Sequence, residues 1–285
     1  MNIKTILSKL STPYYRSRID SQYGIGRLER LFYSNWFNPV ATLYVNFRSF
    51  PFLQAIRLPL WVYGRPRFYS LSGRMRVDGK ISSGMIKFNM VKFGAPGNMS
   101  SKSELYNLGD ILFKGKCEIG TGNKIIVGYG KSLSLGNNSV IMDRCCIAVH
   151  EKIVIGGNSR IAHSCQIMDT NYHFVADLNK MEISPRTNPV NIGKGCWICN
   201  SSSIMPGSNI PDYAIVGSHS LVNRDFSQYT KGCIIAGTPA KLIKEGFVRV
   251  FNSNVENDIW KYYNINGKSV YHIDGYSIEE LVDYN

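Results

Sequence analysis

Residues 192–210 read IGKGCWICNSSSIMPGSNI, with an isoleucine at every sixth position. The same step of six extends from Leu135 to Val222, apart from a two-residue slip before Ile155 and a long insertion after Ile167. The twelve aliphatic positions are Leu135, Ile141, Ile147, Ile155, Ile161, Ile167, Ile192, Ile198, Ile204, Ile210, Val216 and Val222. A fixed internal period is the signature of a repeat architecture.

Two further columns of small residues accompany the aliphatic column. The position after each aliphatic residue holds Gly, Ala or Cys at seven of twelve sites, where the frequency of these residues predicts fewer than two. They are Gly136, Ala148, Gly156, Ala162, Gly193, Cys199 and Gly217. The position four after each aliphatic residue is small at nine of twelve sites, namely Ser139, Cys145, Ser159, Cys165, Cys196, Ser202, Ser208, Ala214 and Ser220. An amphipathic helix would need spacings of three and four. A six-residue unit instead predicts one short strand and a tight corner, stacked into a parallel β-solenoid.

Charge is concentrated at the N-terminal end. Residues 1–80 contain thirteen Lys or Arg and three acids, which gives +10 of the formal net charge of +13. Residues 31–64 are rich in aromatics, but the uncharged run 31–47 is too short to span a bilayer. We interpret this region as a helical cap with solvated charges, with contact to an anionic membrane surface or an acidic substrate as the alternative. Nucleic acid is not expected, because no recognised binding motif accompanies the charge.

The insertion after Ile167 interrupts the repeat with a polar segment that carries Pro185 and Pro189. Asp169, Asn171 and His173 alternate at its start, so an extended backbone would point all three the same way. Excursions from a rigid scaffold often carry function. Histidine titrates near neutral pH and is therefore suited to general base catalysis.

Several segments resemble the hexapeptide-repeat acyltransferases. They are the repeat itself, the D-x-N-x-H segment at 169–173, the I-G-x-x-x-W-I segment at 192–198 and the closing G-T-P-A-K-L-I-K at 237–244. The loop is most similar to that of sugar and polysaccharide O-acetyltransferases, and the resemblance covers roughly residues 45–247. It implies an all-β fold, a left-handed parallel β-helix solenoid with three strands per coil. It also implies transfer of an acetyl group from acetyl-CoA, with no metal expected.

The resemblance assigns roles to individual residues. His173 is implied to be the general base, with Asp169 or Asn171 orienting its ring or binding the acceptor. The residues implied to bind CoA are Trp197, Asn200, Ser218, Asn223, Arg224, Lys241 and Lys244. Two positions depart from the family pattern. Cys199 replaces a usual glycine, and Arg144 stands near the place of an acceptor-contacting asparagine, which leaves an anionic sugar as one alternative.

The expected organisation is a helical N-terminal region over 1–70, the β-helix over 71–244 and a tail over 245–285 with helical stretches. Seven cysteines without a secretory start favour a reducing cytoplasm over a disulfide framework. The family resemblance implies a homotrimer with its active sites between subunits. The expected acceptor is a sugar hydroxyl in O-antigen or capsule biosynthesis, and the protein is expected in the cytoplasm, with contact to the inner face of the membrane as an option.

Other functions remain as alternatives. N-acetylation of a nucleotide-linked amino sugar is the nearest, followed by acetylation of an antibiotic or another small molecule. A non-catalytic binding solenoid would not bind CoA. A zinc hydratase of the γ-carbonic anhydrase type would use His150, His163 and His173, but their spacing does not match that family. The Cys196-x-x-Cys199 pair is interpreted as structural, because the βαβ pattern of redox proteins is missing.

Overall fold

The computed structural model describes residues 35–91, 101–229, 232–267 and 270–283. Most of these residues form a β-helix of stacked coils, each with three short strands separated by corners. Helix α1 (Pro39–Ser49) and the short helix α2 (Phe52–Ala55) precede the coils, and α3 (Ser253–Asn266) and α4 (Ile278–Val282) follow them.

The strands run coil by coil along the chain. The first four coils contain β1 (Leu60–Val62), β2 (Arg67–Leu71), β3 (Arg74–Val77), β4 (Ile86–Phe88), β5 (Glu104–Asn107), β6 (Asp110–Phe113), β7 (Cys117–Ile119), β8 (Lys124–Val127), β9 (Ser132–Leu135), β10 (Ser139–Ile141), β11 (Cys146–Val149) and β12 (Lys152–Ile155). The later part contains β13 (Arg160–Ile161), β14 (Gln166–Met168), β15 (Ala176–Asp177), β16 (Glu182–Ile183), β17 (Val190–Ile192), β18 (Trp197–Ile198), β19 (Ser203–Ile204), β20 (Asn209–Ile210), β21 (Ile215–Val216), β22 (Leu221–Val222), β23 (Cys233–Gly237) and β24 (Ala240–Glu245).

These strands build three sheets along the sides of the solenoid. Sheet 1 has the order β1-β4-β7-β10-β13-β18-β21-β23-β24, sheet 2 the order β2-β5-β8-β11-β14-β19-β22 and sheet 3 the order β3-β6-β9-β12-β17-β20. The pairing between coils is parallel, and only the terminal hairpin of β23 with β24 and the small β15–β16 pair are antiparallel among the described strands. The expected left-handed parallel β-helix is confirmed.

The aliphatic column forms the core of the solenoid. Ile141 pairs with Ile161, Ile161 with Ile198, and Ile198 with Val216, so equivalent side chains stack from coil to coil. All twelve column residues are at most 1% exposed, and the Ser, Cys and Ala side chains of the corner column are buried as well. A Cβ atom on Gly136 would lie 2.1 Å from the backbone nitrogen of Gly157 in the next coil. Close stacking at this position therefore explains the glycines of the repeat.

The two-residue slip before Ile155 reflects a wider coil. Strands β11 and β12 contain four residues each, and side chains alternate between the two faces of a strand. Each of these strands therefore points two side chains inward: Ile147 and Val149 from one, Ile153 and Ile155 from the other. Later strands such as β18 and β19 contain two residues and contribute one each. The solenoid is thus widest in its early coils.

The predicted start of the solenoid at residue 71 needs correction. Strands β1 and β2 lie within the range 1–70, which the sequence predicts to be helical, and they form the first coil. Helix α1, and no earlier coil among the described residues, packs on the outer edge of this coil. Helices α1 and α2 do fall in that range, whereas residues 1–34 lie outside the described part.

The C-terminal tail folds back onto sheet 1. Helices α3 and α4 lie within residues 245–285, the tail in which helical stretches are expected. Phe251, Val255, Leu281 and Val282 pack with Tyr213 in a second apolar cluster, which Trp197 borders. The backbone N–H of Phe251 donates to the carbonyl of Leu281 at 2.8 Å and ties the two parts of the tail together.

Candidate active site

The insertion leaves the solenoid at the corner between sheets 2 and 3, which we call the 2–3 corner. It connects β14 with β17, and its two ends run side by side. Thr170 and Thr187 form an antiparallel bridge, and the N–H of Asn171 donates to the carbonyl of Arg186 at 2.9 Å. Farther out, β15 and β16 pair as a small hairpin. The loop is therefore an ordered projection with a hydrogen-bonded base.

Asp169 is fully buried beneath this loop. Its carboxylate oxygens accept hydrogen bonds from the backbone N–H groups of His150 at 2.6 Å and Glu151 at 2.8 Å, in the preceding coil. Burial raises the pKa of Asp169, although these N–H donors favour its ionised form. The side chain thus fastens the loop to the neighbouring coil.

Asp169, Asn171 and His173 do not face the same way, contrary to the prediction from alternation. Asp169 points into the protein, whereas Asn171 and His173 are exposed. Tyr172 has φ of 59°, so the backbone is not extended at this point. The N–H of His173 donates to the carbonyl of Asn171 at 2.7 Å, which closes a tight turn and leaves the imidazole exposed to solvent.

His150 lies beside the loop, although it is not part of the D-x-N-x-H segment at 169–173. Its ring meets that of Tyr172 edge to face, with the centroids 5.0 Å apart. Its Nε2 atom is buried and has no hydrogen-bond partner among the described residues. Burial raises the pKa of the Tyr172 phenol. The sequence could have indicated this proximity. Strand β11 pairs with β14, so the residue that follows β11, His150, is level with the start of the loop that follows β14.

Two of the residues implied to bind CoA lie together at the corner between sheets 1 and 2, the 1–2 corner. The Ser218 hydroxyl donates to Oδ1 of Asn200 at 2.9 Å. Asn200 and Ser218 are the last two members of a row of residues that stack from coil to coil at this corner. Each member comes directly before a residue with positive φ. The row is Thr121, Asp143, His163, Asn200 and Ser218. At the start of the row, Asp143 Oδ1 accepts from the N–H of Thr121 at 2.6 Å.

The remaining CoA residues lie elsewhere. Asn223 and Arg224 are exposed after β22 at the 2–3 corner, and Lys241 and Lys244 are exposed on β24 of sheet 1. The Lys244 ammonium stands 5.3 Å from the centre of the Phe247 ring. One chain therefore distributes the implied cofactor residues over three places: the 1–2 corner, the 2–3 corner and the strands of sheet 1.

Trp197 is partly covered by the tail. The guanidinium carbon of Arg249 lies 4.4 Å from the centre of the indole ring and equally far from that of Phe251. Burial lowers the pKa of Arg249, as expected for a cation between apolar surfaces. This contact is not predictable from the sequence, because the helical pattern of the tail does not indicate where the tail packs.

The histidines of the zinc hydratase alternative are dispersed. His150 belongs to the 2–3 corner, His163 to the 1–2 corner and His173 to the loop. Within the described ranges, no group of three His, Cys, Asp or Glu side chains is arranged to hold a metal ion.

All seven cysteines are free thiols. Burial raises the pKa of Cys196 to about 12 and that of Cys199 to about 11. The Cys196 thiol lies 3.1 Å from the carbonyl of Pro211, and the Cys165 thiol 3.1 Å from the carbonyl of Cys199. These contacts assign the Cys196-x-x-Cys199 pair to the packed corners of the solenoid.

Known acetyltransferases match parts of the sequence, although no model of a protein family matches it. The putative lipopolysaccharide biosynthesis O-acetyl transferase WbbJ of Escherichia coli (strain K12) is 27% identical over 164 residues, 54% of this chain and 78% of that protein. A chloramphenicol acetyltransferase of Morganella morganii is 45% identical over 62 residues, 22% of this chain and 28% of that protein. The chain thus spans less than a third of the latter's length.

A solved structure of the polySia specific acetyltransferase NeuO is 17% identical, with a TM-score of 0.40, over 79% of this chain and 94% of that one. The stacked parallel strands, the buried column of six-residue repeats and the acetyltransferase relatives agree with one another. The chain is thus similar to acetyltransferases in part of its sequence, and its stacked coils are those expected from the resemblance to the hexapeptide-repeat acyltransferases.

Proposed function

We propose that this protein transfers an acetyl group from acetyl-CoA to a sugar hydroxyl in the biosynthesis of a surface polysaccharide such as O-antigen or capsule. The observation that carries the proposal is an exposed imidazole, that of His173, on an ordered loop that alone interrupts the stacked coils between β13 and β22. The likeness to a putative lipopolysaccharide O-acetyl transferase supports a glycan acceptor.

In the proposed mechanism, His173 takes the proton of the acceptor hydroxyl as its oxygen attacks the thioester carbonyl. The new ester bond forms, the carbon–sulfur bond breaks, and the sulfur of CoA leaves and receives a proton. The carbonyl of Asn171 accepts the N–H of His173 and closes its turn, and we assign the exposed Asn171 side chain to binding the acceptor. We assign Asp169 to anchoring the loop, since its carboxylate is already bound by the N–H groups of His150 and Glu151.

The proposed CoA site consists of Trp197, Asn200, Ser218, Asn223, Arg224, Lys241 and Lys244. The exposed cationic side chains of this set suit the phosphates of CoA. Because these residues lie at two corners and on sheet 1 of one chain, we propose that two copies complete each site, as in a homotrimer. The loop supports this arrangement with a row of exposed apolar side chains that a neighbouring subunit would cover: Phe174, Val175, Leu178, Met181 and Ile183. The mass of the protein in solution tests this assembly.

Several neighbouring functions are ranked behind this proposal. N-acetylation of a nucleotide-linked amino sugar would use the same base and cofactor. Acetylation of a small molecule is the third candidate, supported by the chloramphenicol acetyltransferase that matches 22% of the chain. We further propose a cytoplasmic location, because seven free thiols suit a reducing compartment.

The decisive experiment is a transfer assay with acetyl-CoA and a panel of nucleotide sugars, glycan fragments and acidic glycans, following the release of the CoA thiol. Mild alkali removes an O-acetyl ester but leaves an N-acetyl amide, so product analysis before and after alkali separates the first two candidates. Equilibrium dialysis with CoA tests the non-catalytic alternative, which predicts that the protein does not bind CoA. Absence of CoA binding would refute the proposal, and transfer to an amine alone would replace it with the N-acetyltransferase.

A further inference from the structure

The N-terminal end of the solenoid presents a continuous apolar surface. On α1, the outward side chains follow the helical spacing of three and four: Val40, Leu43, Tyr44 and Phe47. Helix α2 adds Phe52, Leu53 and Ile56 beside them. Val40 is 76% exposed, Phe52 70% and Leu53 75%, and no described element covers them. We call these seven residues the basal face.

The side of α1 that faces the solenoid is the more polar one. The hydroxyl oxygen of Thr42 accepts a hydrogen bond from the N–H of Val62 at 3.0 Å. Asn46 donates to the carbonyl of Leu60 at 2.7 Å and accepts from its N–H at 3.2 Å. These bonds satisfy the open edge of β1, which would otherwise expose unpaired backbone groups. Folding therefore uses the polar side of the helix and leaves the apolar side for another contact.

The chain around the basal face is rich in arginine. From Asn35 to Val77 the chain contains six arginines and no acidic residue. Arg48 lies next to Phe47, Arg57 lies next to Ile56, and both are exposed. An apolar strip with aromatic side chains and flanking arginines complements a surface that has an anionic layer above an apolar interior.

We propose that the basal face docks on an anionic lipid bilayer, with α1 lying in the plane of the headgroups. None of the helices in the described ranges is long and apolar enough to cross a membrane, and α1 contains 11 residues. The apolar side chains of the basal face enter the boundary of the acyl chains, and the arginines bind lipid phosphates.

Docking at this end fixes the distance between the membrane surface and the candidate active site. Helix α1 contacts all three strands of the first coil, so the basal face lies across the end of the solenoid. Four strand spacings of sheet 2 separate β2 from β14, from which the His173 loop starts. At about 4.8 Å each, they place the start of that loop roughly 20 Å from the base. The docking itself is independent of the proposed acetyl transfer.

Vesicle co-sedimentation of the full chain tests the proposal, with phosphatidylcholine vesicles and with vesicles that also contain phosphatidylglycerol. The natural protein should bind the anionic vesicles, and added salt should weaken the binding. Leu43→Ser with Phe47→Ser should lower the affinity about tenfold or more, because both lose an inserted apolar side chain. Arg48→Gln and Arg57→Gln should each lower it roughly fivefold.

The matched control is Trp260→Ser with Ile265→Ser, two exposed apolar residues of α3 far from the basal face in sequence. This variant should bind vesicles like the natural protein. Circular dichroism should show an unchanged fold in both double variants. Equal loss in the control, unchanged binding of the basal variant, or no binding by the full chain would overturn the proposal. Self-association that the basal variant abolishes, without vesicle binding, would assign the face to a second copy of the chain.

Discussion

The stacked columns and the loop that interrupts them differ in nearly every physical respect. The twelve aliphatic residues of the columns are at most 1% exposed, whereas every residue from Asn171 to Arg186 is exposed. Repetition gives the columns their stability, because each side chain packs on its equivalent in the next coil. The loop has no such neighbours, and it holds the proposed catalytic base. Stability and proposed chemistry thus lie in adjacent but separate parts of the chain, joined at Asp169.

The largest effect should come from the loop. Replacing His173 with Ala should lower the turnover number about 10²–10⁴-fold, because it removes the proposed general base. The thermal unfolding temperature and the affinity for CoA should stay close to those of the natural protein, since the imidazole is exposed. Steady-state kinetics with the acceptor identified by the transfer assay gives the turnover number.

His272→Ala is the matched control, because it removes an exposed imidazole from the tail. It should retain full activity. A His173→Ala enzyme with unchanged turnover would exclude this residue as the base, whereas a large fall in its unfolding temperature would indicate a structural role.

Substitutions in the columns should lower stability, whereas those in the loop should lower activity. Ile198→Ala should lower the free energy of unfolding by about 2–5 kcal/mol, because it opens a cavity in a fully buried stack. Ile198→Val should cost about 0.5–1.5 kcal/mol. Denaturant unfolding measures both. Ile265→Ala, at an exposed site in α3, should change the stability by less than about 0.5 kcal/mol.

If Ile198→Ala lowered the free energy of unfolding no more than Ile265→Ala does, the result would contradict the burial of Ile198 in the stack.

The contrast also explains what the sequence can predict. Each column residue is identifiable from the sequence because its environment recurs in every coil. Ile161, Ile198 and Val216, for example, occupy equivalent positions in three successive coils. The slip before Ile155 was visible as a change of spacing, but its cause needed the four-residue strands β11 and β12. The first coil is not predictable in this way, because its residues do not follow the step of six.

Site residues were harder to place, because their contacts are made once. The motif at 169–173 located the loop, yet the inward turn of Asp169 depends on N–H groups of His150 and Glu151 in another coil. The cover on Trp197 depends on Arg249, which lies about fifty residues away along the chain. Such single tertiary contacts leave no periodic trace in the sequence.

The junction between the two regions should give an intermediate effect. Asp169→Ala leaves the N–H groups of His150 and Glu151 without their acceptor, which should cost about 1–3 kcal/mol of stability. Hydrogen exchange should become faster at these two amides and along the base of the loop. Asp177→Ala removes an exposed carboxylate from the same loop and should change stability by less than about 0.5 kcal/mol. Protected amides in the Asp169 variant would contradict the anchoring role.

The smallest effect is expected at the buried cysteines of the solenoid. Because burial raises the pKa of Cys196 to about 12 and those of Cys199 and Cys233 to about 11, only about 10⁻⁴ to 10⁻³ of each thiol is ionised at pH 8. The thiolate is the reactive form, so a thiol reagent should leave these cysteines unmodified in the folded protein. All seven should react once the protein is unfolded in denaturant. Rapid reaction of Cys196 and Cys199 in the folded protein would instead indicate a redox pair, and would place chemistry inside the columns as well as on the loop.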